Sequence, residues 1–83
     1  MRMFKTLVKT DDVVVSEQHY RVRYFEQQTA RGARRYSCEV MLGVGDRIIL
    51  DDDSMMSLES KMARLVPATV YSRLLAARRA QAA

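Results

Sequence analysis

Tryptophan is absent from this chain, and cysteine, histidine and proline occur once each. The lone cysteine, Cys38, has no partner for an intramolecular disulfide and cannot furnish a zinc site by itself. His19, the single histidine, leaves a histidine-based metal site or catalytic dyad only one centre. Three glycines are too few for a phosphate-cradling loop, and "GVG" at 43–45 is too short for a nucleotide fingerprint. No Ser–His–Asp set and no zinc spacing is present. Long hydrophobic runs are missing too, since a membrane span needs roughly 18 apolar residues. The opening "MRMFKTLVKT" is too polar for a secretory signal. These absences point to a cytoplasmic, non-enzymatic protein with no cofactor, no metal and no membrane.

What remains is 83 residues, 48% hydrophobic and 29% charged. That is enough for one small globular domain over 1–83, with residues 80–83 expected to fray. A core this small stabilises weakly, so contacts between subunits could supply part of the stability. The net charge of +4 is unevenly spread. Half of the ten acidic residues fall between Asp46 and Glu59, while from Ser60 onward there are five basic residues and no acid. Tyr20 to Tyr36 holds five arginines against one glutamate. Such asymmetry favours an anionic partner.

Hydrophobic periodicity sets the architecture. Tyr20, Val22 and Tyr24 alternate with Arg21 and Arg23; Tyr36, Cys38, Val40 and Leu42 alternate with Ser37 and Glu39. "GVGD" reads as a turn and Arg47 to Leu50 as a further strand. Pairing Tyr24 with Cys38, Val22 with Val40 and Tyr20 with Leu42, then Leu42 with Ile48 and Val40 with Leu50, places every even position on one apolar face. "VVV" at 13–15 predicts a strand antiparallel to the next, with "SEQH" as its turn, although Met3, Leu7 and Val8 could also form a short helix. Met55, Leu58, Met62 and Leu65 follow at helical spacing. Pro67 is expected to end that helix and open a second one, whose buried side is Val70, Tyr71, Leu74 and Leu75. The predicted fold is α+β: a small antiparallel sheet of three to four strands, followed by two carboxyl-terminal helices broken at Pro67 and packed on one sheet face.

Asp51, Asp52 and Asp53 stand where the last strand meets the helix. A hard cation needs alternating oxygen ligands and a turn glycine, which "DDDS" lacks. Consecutive aspartates on a strand point to opposite faces. Helix capping by Asp53 or Ser54 explains the run better, with Asp51 and Asp52 near the positive end of the helix dipole. A Cys38–His19 nucleophilic pair is disfavoured, because the register puts them roughly 17 Å apart and turns Cys38 inward.

Two surfaces are candidates for function. The odd-numbered sheet face carries Phe25, Met41 and Ile49, with Met41 expected opposite Ile49; an apolar second face is commonly covered. Its cover could be the amino-terminal segment, a second copy in a homodimer, or another protein. The alternative is nucleic-acid or other anion binding through Arg21, Arg31, Arg34 and Arg35, joined by Arg78 and Arg79. Arg23, opposite Glu39, is instead expected in a cross-strand ion pair. The β-β-β-α layout resembles double-stranded RNA-binding domains, and "SKMA" (Ser60 to Ala63) is similar to the Ser-Lys-Lys start of their last helix. That family's glycine-rich lead-in and lysine pair are absent here. The layout also resembles small antitoxin folds of the HicB type. Neither resemblance carries a diagnostic motif, so neither assigns a site residue.

Overall fold

A computed structural model describes residues 5–82. Four strands and one helix follow each other along the chain: β1 (Lys5–Val15), β2 (Gln18–Gln28), β3 (Arg34–Gly43), β4 (Asp46–Asp52) and α1 (Met55–Ala82). The strands form one antiparallel sheet in the order β1-β2-β3-β4, a meander in which spatial order repeats chain order. No helix among the described residues is long and apolar enough to cross a membrane.

The sheet register rests on the period-two pattern. Val22 pairs with Val40, Arg23 with Glu39 and Tyr24 with Cys38, as the alternation predicts. Val22, Tyr24, Cys38 and Val40 are buried on the inner face, where Val15 joins them from β1. Two expectations about the hairpins need correction. The first turn is confined to Ser16 and Glu17, both at positive φ (50° and 68°), which suits a tight two-residue hairpin but holds two non-glycine residues in the left-handed region. The β3–β4 register is displaced by two residues: Val40 faces Ile48 and Met41 faces Arg47, around a two-residue turn that uses the positive φ of Gly45. A two-residue slip leaves every side chain on its original face, so alternation alone cannot detect it.

β1 is longer than "VVV" suggested. It begins at Lys5, takes in Leu7 and Val8 as strand rather than helix, and absorbs a bulge between Leu7 and Lys9. Met3, the other residue of the helical alternative, lies outside the described residues. The bulge and the charges of Lys9, Asp11 and Asp12 protect this free edge from pairing with another chain.

The predicted break at Pro67 is absent, and α1 is one helix of 28 residues with Pro67 inside it. A proline in a helix interior costs about 3 kcal/mol, because it cannot donate to the carbonyl four residues back and its ring crowds that turn. Packing on either side offsets this. Val66 and Val70 are both buried against the sheet, each contributing about 1.5 kcal/mol or more, and Leu74 packs one turn further on. Ending the helix at Val66 would pull Val70 and Leu74 off the core. The helix keeps most of the expected stripe. Met55, Leu58, Met62, Val70 and Leu74 pack against the sheet, joined by Val66, whereas Leu65 and Tyr71 are exposed. Leu58, Met62, Val66, Val70 and Leu74 thus recur every four residues.

Ion pairs fix how α1 lies. Lys61 meets Asp52 at 3.1 Å and Arg73 meets Asp46 at 3.3 Å. Twelve helical residues span about 18 Å. The six strand steps between Asp52 and Asp46 span about 20 Å. α1 therefore runs antiparallel along β4. At about 42 Å it outlasts the strand, and its last two turns project past the sheet.

Candidate functional site

The aspartate run resolves into three short-range roles. Ser54 caps the helix: its Oγ accepts from the Ser57 amide at 3.1 Å, and its carbonyl accepts the Leu58 amide at 3.0 Å. Asp52 accepts from the Asp53 amide at 2.6 Å and pairs with Lys61. Ser57 first, then Lys61 and the Asp53 amide, hold its carboxyl down to about 2. Asp51 and Asp53 both take Arg35, whose charged form they favour. Among the described residues no group of three metal-ligating side chains stands together.

Cys38 is buried on the inner face, and burial pushes its thiol up. His19 pairs with Val14 on β1 and belongs to the outer face, so the sheet lies between the two. Burial likewise pushes the Tyr24 hydroxyl up to about 12.

Among the described residues, no element covers the outer face of the sheet. Of the amino-terminal segment, Lys5–Val15 does not fold over it, being built into the sheet as an edge strand. α1 lies on the other side. Cross-strand neighbours map the outer surface in rows. Leu7, Phe25, Ser37 and Asp51 make the first; Thr10, Arg23, Glu39 and Ile49 make the second. Asp12 stands opposite Arg21, and Met41 opposite Arg47. Ile49 is 52% exposed and Met41 43%. Leu7 and Val14 are exposed on the same face, and Phe25 is half-buried beside Leu7.

The candidate trio Phe25, Met41 and Ile49 thus shares a face without forming one patch. Met41 is not opposite Ile49, because the β3–β4 register differs. Between them and Phe25 stands Glu39, clasped by Arg23 on one side and by Arg47 at 2.9 Å on the other. Its side chain is only 14% exposed, and the hydrogen bond from Arg23 holds its carboxyl below the usual range. Arg23 also lies over the Phe25 ring, 5.9 Å from its centroid. The face is therefore apolar at its borders and ionic at its centre. Two outer-face polar atoms, Ser37 Oγ and Gln27 Oε1, are buried without a hydrogen-bond partner among the described residues. Period-two reading places both residues on this face but cannot reveal their burial, which depends on the neighbours that pairing supplies.

Arg31, Arg34 and Arg35 stay together at the β2–β3 loop, two of them held by carboxylates, while Arg21 lies further along β2. Arg34 pairs with Glu26 at 3.4 Å, and Arg35 is committed to Asp51 and Asp53. Arg21 stands on the outer face, Arg31 in the β2–β3 loop, and Arg78 and Arg79 on the projecting end of α1. Among the described residues these four hold no ion pair. The loop that carries Arg31 is a closed turn: the Thr29 amide donates to the Ala33 carbonyl at 2.8 Å, and Gly32 supplies a positive φ of 83°.

Below Val22 and Val40 the pairing of β2 with β3 stops, so the expected Tyr20–Leu42 pair does not form and the two hairpins part. Gln18, His19 and Tyr20 then face Met41, Leu42 and Val44 across an open groove. No family model, curated protein or solved structure matches this chain.

Proposed function

We propose that this protein is a non-enzymatic binding module that docks protein through the open face of its sheet, in the first instance a second copy of itself. One observation carries the reading: a sheet covered by α1 on one side leaves Leu7, Val14, Met41 and Ile49 exposed on the other. Apolar side chains on a bare sheet face lose free energy to water until something covers them. The central Arg23–Glu39–Arg47 cluster is already satisfied internally, so it acts as a polar spacer that tolerates burial.

Sedimentation analysis across a concentration series tests this directly. The wild-type chain should self-associate, and the double substitution Met41→Glu with Ile49→Glu should be monomeric with unchanged far-UV circular dichroism. A wild-type monomer at every concentration, or a dimer indifferent to both substitutions, would refute the proposal.

A second reading, nucleic-acid binding, is favoured by Arg21, Arg31, Arg78 and Arg79, which hold no carboxylate among the described residues. Its test is fluorescence anisotropy with short single- and double-stranded RNA and DNA at two salt concentrations. Binding that persists at about 150 mM salt, and weakens when these four become glutamine, would establish it.

A further inference from the structure

α1 carries a second stripe that the core does not use. Its buried residues, Leu58 to Leu74, recur by fours. On the outward side Arg64 and Ala68 stand about 160° from Val66, at about 100° per residue. Tyr71 and Leu75 flank the buried stripe about 100° from Val70 and Leu74, while Arg78, four residues after Leu74, continues the line of that stripe beyond the sheet. These recur at alternating steps of four and three residues, which is the seam spacing of paired helices. Tyr71 is 53% exposed, Leu75 is half-buried beside it, and Ala68 leaves room for a close approach. The stripe runs onto the part of α1 that projects past the sheet, so a partner meets no strand there.

Charge selects the occupant. From Ser60 onward the chain has five basic residues and no acidic one. Lys61 and Arg73 are taken by Asp52 and Asp46 of β4. Arg64, Arg78 and Arg79 hold no ion pair among the described residues; Arg78 and Arg79 follow Leu75 by three and four residues, and Arg64 precedes Tyr71 by two turns. A second copy of α1 would bring the same sign of charge to this seam. A nucleic acid would satisfy the arginines and leave Leu75 facing phosphate and water.

We infer that the outward face of α1 docks an acidic amphipathic helix of a partner protein, its apolar side on Ala68, Tyr71 and Leu75 and its carboxylates on Arg64, Arg78 and Arg79. This surface is separate from the outer face of the sheet, so one chain can hold two partners at once.

The test uses the whole chain and a fluorescein-labelled synthetic peptide of about three heptads, with leucine at the seam and glutamate on the flanks. Two controls keep its length: one scrambles the leucine positions, the other replaces glutamate by lysine. Anisotropy should report binding of the first peptide and neither control. Tyr71→Ser with Leu75→Ser should weaken it by about tenfold or more, as loss of a central apolar contact does. Both side chains lie away from the core, so far-UV circular dichroism should not change. Met41→Glu with Ile49→Glu should leave peptide affinity unaltered, which separates this surface from the sheet face. Equal binding of the scrambled peptide would reduce the effect to bulk charge and overturn the inference. Displacement by a short DNA duplex at comparable concentration would overturn it too, in favour of nucleic acid. So would full affinity in the serine variant.

Discussion

Replacing Pro67 by alanine tests the continuity of α1 most sharply. Pro67 sits between Val66 and Val70, both buried, so packing on each side fixes the backbone whichever residue stands there. Alanine restores an amide donor to the Ala63 carbonyl, contributing about 1 kcal/mol net. That bond and the relief of ring crowding together make up the about 3 kcal/mol by which proline is worse than alanine in a helix interior. Against this, proline stiffens the unfolded chain, and losing that stiffness costs about 0.4–1 kcal/mol. Thr69 lessens the gain further: its hydroxyl donates to the Leu65 carbonyl at 2.8 Å, a contact that helps a helix bend around the ring. The expected net stabilisation is about 1–2 kcal/mol. At about 4–8 °C per kcal/mol for a chain of this size, Tm should rise by about 4–16 °C. Urea denaturation followed by circular dichroism measures the first quantity and thermal melting the second. Helicity should barely change, because the helix is already continuous. A large gain in ellipticity without added stability would mean that the wild-type helix is broken at Val66, and would refute this account.

Two further outcomes are expected. Ser54→Ala removes the oxygen that accepts the Ser57 amide, and should lower stability by about 1 kcal/mol, whereas Ser54→Asp should be close to neutral by urea denaturation. Asp52 has a folded pKa of about 2, depressed from its ordinary 3.8, so its contribution is fully present above the ordinary value. That contribution is lost as pH falls through the folded value, which gives an acid transition between about pH 4 and pH 2. Carboxyl NMR titration should place the Asp52 midpoint well below pH 3, and Lys61→Met should raise it; an Asp52 midpoint near 4 in the wild-type chain would contradict the pairing.

Much of the sheet was legible because strand chemistry is periodic. The Tyr24–Cys38 and Arg23–Glu39 pairings follow from aligning two alternating segments around one loop. β3–β4 was not legible in register, since a shift from Ile49 to Arg47 opposite Met41 keeps the same faces inward. The first half of β1 carries almost no alternation in "KTLVKT", and becomes a strand by pairing with β2. Pro67 misled for a different reason. Its local cost is real, but Val66 and Val70 outweigh it through contacts that no local pattern displays. The core stripe was also ambiguous in sequence: Leu65 and Val66 are both a permitted helical step from Met62, and only the line of α1 along β4 selects Val66. The arginines invert the lesson. Clustering in sequence suggested one basic site, and the fold keeps Arg31, Arg34 and Arg35 at one loop but gives Arg34 and Arg35 to carboxylates.

Because spatial order repeats chain order, each strand finds its partner in the segment made just before it. Contacts of such short sequence separation form quickly, with little loop entropy to overcome. The exception is the closing step. Until α1 docks, Val22, Tyr24, Cys38 and Val40 lie open on one side of the sheet while Met41 and Ile49 lie open on the other. The nascent protein is then a thin layer with two adhesive surfaces. Substitutions that delay helix docking should therefore show themselves first as poor yield and aggregation during synthesis, ahead of any drop in the melting temperature of the molecules that do mature.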